Sequence, residues 1–163
     1  MRVADFQRLY DYGYYANKKL FAAMAPLSED EFTREVAGSY GSIRNTLVHV
    51  MSAEWGWLDR CGGARRGNAL IPTDYPTLTS LLHQWHQIES NSREFLGSLK
   101  EEDLDRVVEL TLGDGPRQAM PLGRLLHYSA LHGVHHRGQV ALLLRSLGYV
   151  PGNFDILIYY GRS

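Results

Sequence analysis

The sequence predicts an all-α fold, a four-helix bundle with a small β-hairpin before its last helix. Three observations lead there. Apolar residues recur at helical spacing in four long blocks, and Pro or Gly closes the first, second and fourth. Only one stretch, RVVELTLGDGPRQAMP at 106–121, shows a Val, Leu and Thr run broken by Gly and Pro, the pattern of a hairpin. The connections are longer than tight turns, as bundles with crossing loops require. At 163 residues and 44% apolar content the chain suffices for one compact domain, residues 1–163, with a continuous core.

The first helix is expected from Asp5 to about Met24. Its stripe runs through Phe6, Leu9, Tyr10, Leu20 and Met24, with Gly13 and Asn17 as small and polar substitutes, and Pro26 ends it. Ser28 with Glu31 three residues on has the form of a capping box, which predicts a short turn over Glu29 to Phe32. The second long helix starts after Ser42 as N-cap and runs through IRNTLVHVMSAEWGWLDR to the Gly62-Gly63 stop. The loop CGGARRGNALIPTDYP has no periodicity. Its arginines read as solvated, because no strand leads into the glycines as a phosphate-binding loop needs. Cys61 is the only cysteine, which excludes an intramolecular disulfide and a thiolate-rich zinc site; flanked by glycines, it reads as an ordinary loop thiol.

A third helix follows Pro76, with Leu78, Leu81, Trp85, Ile88, Ser92, Phe95 and Leu99 on one face. His83 and His86 fall off that stripe and read as solvated. After the hairpin, the fourth helix opens near Pro121, a favoured first-turn residue, and runs to about Leu147. Gly148 supplies the left-handed cap and Pro151 prevents continuation.

Charge and hydropathy remove several function classes. The formal net charge is -1 and neither half of the chain carries a block of one sign. No nucleic-acid partner is expected, since phosphate binding draws on clustered Lys and Arg. The start, MRVADFQRLYDYGYY, lacks the cationic and apolar segments of a secretory signal, and no stretch has the length of a membrane span. The expectation is a cytoplasmic protein with no membrane association.

Residues 132–139, HGVHHRGQ, carry the strongest chemical signal. At ~100° per residue His132 and His136 lie ~40° apart on successive turns, and Tyr128 and Gln139 share that face. His135 points ~100° from His136, and His127 lies on the opposite side. His49 is the one histidine of the second helix and stands among its apolar positions. Three neutral imidazoles from two helices would give a divalent ion an incomplete shell with room for water. The alternative is a pair of core histidines bonded to carbonyls.

Asn45, one turn before His49, joins Tyr128 and Gln139 as residues that could hold an imidazole or meet a substrate. Glu54 points ~140° from His49 and reads as a pairing residue within the bundle. Arg137 turns away from the His132 face, toward an ion pair between helices. Trp55, Trp57 and Trp85 read as core. Tyr12, Tyr14 and Tyr15 stand outside the histidine face, where some of them could cover an interface.

The stretches SIRNTLVH, AEWGWLDR and HYSALHGVHHRGQVALLLRSLGYVPGNFD together resemble the DinB-like superfamily of four-helix-bundle metalloproteins, which also contains metal-dependent thiol transferases. YANKKL, the hairpin and the terminal FDILIYY extend the resemblance over nearly the whole chain, and HHRGQ is its most specific feature. In that family one histidine of the second helix and two, four apart, in the fourth hold a divalent metal. The resemblance therefore implies His49, His132 and His136 as ligands. Zinc or nickel comes first among ions suited to imidazole, with iron next. It further implies a homodimer, a small-molecule substrate and a metal-dependent enzyme that activates a low-molecular-weight thiol, as a transferase or isomerase. A metal-dependent hydrolase and a non-catalytic metal- or ligand-binding module are the alternatives. No carboxylate stands beside the ligands as in an HExxH hydrolase, so no catalytic residue is assigned.

Overall fold

The computed structural model describes residues 1–62, 69–111 and 115–161. In chain order the elements are α1 (Val3–Met24), α2 (Glu29–Thr33), α3 (Ile43–Cys61), α4 (Leu78–Ser98), β1 (Val107–Thr111), β2 (Arg117–Pro121), α5 (Leu122–Ser146) and α6 (Ile156–Tyr160). The four long helices form the expected bundle. α5 packs on α1 and α3, and α4 packs on the same two from the other side, so α1 and α3 stand diagonally. β1 and β2 pair antiparallel, Val107 opposite Pro121 and Thr111 opposite Arg117. The loop residues Arg65 and Arg66 and the turn residues Gly113 and Asp114 lie outside the described residues.

Local chemistry sets the helix ends. Ser42 Oγ accepts the Asn45 amide at 2.9 Å, and Ser28 and Glu31 form the reciprocal capping box. Gly148 has φ +88°, donates to the Arg145 carbonyl at 3.0 Å, and is followed by a Tyr149 to Leu144 bond of 2.9 Å. This is a Schellman ending, and it needs a residue that tolerates the left-handed region. Pro121 ends β2 and is also the N-cap of α5, so the helix opens where the sequence places it, with the proline one residue ahead of the first turn.

The apolar core falls into two clusters stacked along the bundle. One gathers Phe6, Tyr10, Tyr14, Trp57, Leu58, Leu96, Leu122, Leu125 and Leu126 around the hairpin end; the other gathers Leu20, Met24, Phe32, Leu47, Met51, Leu81, Trp85 and Leu144 at the opposite end. Burying each large side chain contributes on the order of 1.5–3 kcal/mol. Cys61 is the last residue of α3 rather than a loop thiol; it is buried, and burial pushes its thiol up to about 12, so it is inert. Tyr12 and Tyr14 are also buried within the bundle and cannot cover an interface, whereas Tyr15 is half-buried against Tyr159. Trp57 and Trp85 are core, as expected, and Trp55 packs at the core's edge. No helix among the described residues is long and apolar enough to cross a membrane.

Candidate metal centre

α3 and α5 face one another along the bundle, and this brings three histidines from two helices to one place. His49 Nε2 is 3.0 Å from His132 Nε2, which is 3.1 Å from His136 Nε2. One ligand atom from each of the three lies within 4.8 Å of the other two. His136 is buried and the other two are half-buried, so the cluster edges the core and does not fill it.

The surroundings fix which nitrogens converge. Gln139 Oε1 lies 2.6 Å from His136 Nδ1, and an amide oxygen can only accept, so Nδ1 carries the proton and Nε2 presents its lone pair to the cluster. The same Oε1 accepts from Ser39 Oγ at 2.9 Å, and the Gln139 Nε2 donates to His135 Nε2 at 3.2 Å, which sets the amide's orientation. Tyr40 stacks face-on against His49, with centroids 3.9 Å apart, and meets His136 edge-on at 5.6 Å. Asn45 Nδ2 donates to the Tyr40 carbonyl at 3.1 Å. Its contribution is to the loop carrying Tyr40, one step removed from the imidazoles. Tyr128 lies 6.0 Å from His132, half-exposed, with Trp57 packed on its ring.

Burial lowers the pKa of all three imidazoles, with neighbouring imidazoles adding to the effect: His49 and His132 fall to about 4, and His136 is lowered despite its bond to Gln139. All three are therefore neutral near pH 7, the state in which imidazole ligates a metal. The donor set fits a divalent ion. His132 Nε2 faces two imidazole nitrogens at once and has at most one proton to offer, so at least one converging lone pair lacks a hydrogen. Nitrogens bound to one tetrahedral ion lie roughly 3.4 Å apart, close to the separations here.

His83, His86, His127 and His135 are exposed, and none joins the cluster. Glu54 accepts from Tyr14 and Ser92 hydroxyls, both at 3.2 Å, and is a pairing residue as expected. Arg137 turns inward but makes no ion pair among the described residues; it donates to Asn17 Oδ1 at 3.2 Å, because the helix facing it there offers an amide and not a carboxylate. Ser39 and Tyr40 were not legible as site residues. Their signal is the GSYGS run, where Gly38, Ser39 and Gly41 have φ of +87°, +51° and +85° and fold the loop back over α3.

Fold and site together define a class, the helical bundles that gather three histidines from two facing helices. Within it the chain belongs to the DinB family, whose model matches residues 1–161. It is 23% identical to Protein DinB of Bacillus subtilis (strain 168) over 163 residues, covering 96% of this chain and 95% of that protein. It is 22% identical to the uncharacterized protein YizA of the same organism over 144 residues, covering 88% and 89%. The crystal structure of a DinB-like protein from Bacillus cereus ATCC 10987 superimposes with a TM-score of 0.74 at 19% identity, over 93% of this chain and 97% of that one.

Proposed function

We propose that residues 1–163 form one domain that holds a divalent ion, zinc or nickel before iron, through His49, His132 and His136, and that it is an enzyme activating a low-molecular-weight thiol for transfer or isomerisation. The observation that carries this reading is the convergence of three Nε2 atoms with the His136 Nδ1 proton already taken by Gln139. Such an ion keeps its charge among uncharged ligands and would lower the pKa of a bound thiol. Gln139 fixes the His136 ring, and Tyr40 and Tyr128 flank the cluster, half-exposed, where a small substrate would approach. Three protein ligands also favour a reactive site over a purely structural one, which normally has four.

Metal content of freshly purified protein comes first, followed by assays of the loaded protein, the metal-free protein and His49→Ala with a panel of cellular thiols and a reactive electrophile. Turnover by the loaded protein alone is the expected result. Equal rates for all three proteins would reject thiol activation, and ester or amide cleavage by the loaded form alone would replace it with hydrolysis.

The same reading places the protein in the cytoplasm as a homodimer. Leu131, Val134 and Leu142 are exposed at helical spacing on α5 and supply an apolar stripe for pairing. A monomer mass by light scattering over a wide concentration range would refute the dimer.

A further inference from the structure

The two apolar clusters of the core are separated by a layer in which each long helix contributes a polar residue: Asn17 from α1, Glu54 from α3, Ser92 from α4, and Ser129 and Arg137 from α5. A cavity of about 30 Å³ lies in this layer, and Arg137 and Glu54 both line it, with Asn17, Ser129 and Gly133. Gly133 makes room for the guanidinium, since a Cβ there would stand 3.1 Å from Arg137 Nη1.

Arg137 is only 7% exposed, and few acceptors surround a group with five N–H donors. It donates to the neutral Asn17 amide and lies against the Tyr12 ring, its guanidinium carbon 5.7 Å from the centroid. Among the described residues no carboxylate reaches ion-pair distance of it. A guanidinium stays charged in proteins, and withdrawing it from water without a counter-charge costs several kcal/mol. Glu54 is the one carboxylate lining the cavity, and its Oε1 takes both hydroxyl bonds, from Tyr14 and Ser92, leaving Oε2 for another donor. Burial raises the Glu54 pKa, while the Tyr14 and Ser92 bonds and the Arg137 charge act against that rise, and the two groups share one small space without touching. A water needs roughly 10–15 Å³ of such space and two to four polar partners. The cavity has both.

We infer that this cavity, which reaches toward solvent beside the exposed Val134, is an ordered water site in which one or two waters bridge the Arg137 guanidinium to the Glu54 carboxyl group across the middle of the bundle. Its ligand is water, recognised by N–H donors on one wall and a carboxylate oxygen on the other. None of the three clustered histidines lines the site, which holds whether or not the protein is an enzyme.

A high-resolution crystal structure of the full chain tests this without any substitution. The expected result is ordered density within hydrogen-bond distance of both Arg137 and Glu54. An empty cavity, a direct Arg137 to Glu54 contact, or an Arg137 side chain turned to solvent would each overturn it. Urea unfolding of Arg137→Met, Glu54→Gln and the double variant adds an energetic test: each single change lowers the midpoint, and the double lowers it by less than the sum. Additive shifts would show that the two groups are not coupled and would count against the bridge, while the wild-type structure still decides if a variant fails to fold.

Discussion

Replacing Gln139 with alanine separates the support of an imidazole from the imidazole itself. Its Oε1 is 2.6 Å from His136 Nδ1 and 2.9 Å from Ser39 Oγ. Without that acceptor His136 can move its proton to Nε2, the atom turned toward the other two histidines, and the ring loses its rotational anchor. Removing an outer partner of this kind typically weakens metal binding by about 10–100-fold, or ~1.4–2.7 kcal/mol. Ser39 keeps its 3.1 Å contact with Thr46 Oγ1, so the loop is not released as well, and the lower part of that range, about 10–30-fold, is the prediction. Competition for zinc against a chromophoric chelator at neutral pH measures it. Gln139→Glu should retain affinity, because a carboxylate accepts the same proton. Asn45→Ala, which loses its bond to the Tyr40 carbonyl and the one it accepts from Arg44 Nε but none to an imidazole, should weaken binding by no more than about 3-fold. If Gln139→Ala binds within about twofold of the wild type while His136→Ala does not bind, the Nδ1 bond does not prepare the ligand and the reasoning fails.

Three further outcomes are expected. His136→Ala should lose most of its metal affinity at limiting metal while the exposed His83→Ala keeps it, and equal retention by both would remove the ligand assignment. His49 and His132 stay neutral in the folded, metal-free protein down to about pH 4, whereas unfolded imidazoles protonate near ~6.5. The unfolded state therefore binds more protons between those values, so stability falls as pH drops through that window and levels off below it. Urea midpoints of the metal-free wild type should follow this course and those of a His49→Ala/His132→Ala variant should move less; superimposable profiles would contradict it. Trp85, 1% exposed and edge-on to Phe21 at 5.0 Å, should cost about 3–5 kcal/mol when replaced by alanine, and a loss under about 1 kcal/mol by denaturant unfolding would show that the site collapses freely.

Much of the molecule was legible because periodicity reports burial directly. Phe6, Tyr10, Asn17, Leu20 and Met24 of the first stripe and Leu81, Trp85, Ile88 and Ser92 of the third are buried as expected, while Leu9, Leu78, Phe95 and Leu99 are half-buried and Leu96 takes the last buried place on α4; the ~40° offset of His132 and His136 does place both rings in one cluster with His49. Gln139 shared their face and turned out to hold His136. What stayed hidden depends on loops and on which helix stands opposite. No spacing rule carries the GSYG segment over His49, since its course follows from successive left-handed residues and a cap at Ser42. Arg137 was placed on the correct side of α5, but its partner is set by the residue α1 presents there, Asn17, and angular position alone does not choose between an amide and a carboxylate. Tyr12 and Tyr14 looked available for an interface because a tyrosine's ring and hydroxyl suit either setting; inside the bundle their hydroxyls reach the Phe154 carbonyl and Glu54.

The division of the core bears on how the molecule opens. Each apolar cluster draws on different ends of the same four helices, so the helices behave as beams clamped at both ends with a polar seam between the clamps. Thermal opening can then release one clamp while the other holds, giving two cooperative units that differ in hydrogen-exchange protection. The histidines of α5 stand at the seam and His49 at its border, 83 residues away in sequence from His132. An ion held by all three would tie the units together, and at ~1,000 times its Kd it would add about 4.1 kcal/mol to the closed form. Metal loading would then change the pattern of fluctuation as well as the chemistry, merging two exchange regimes into one.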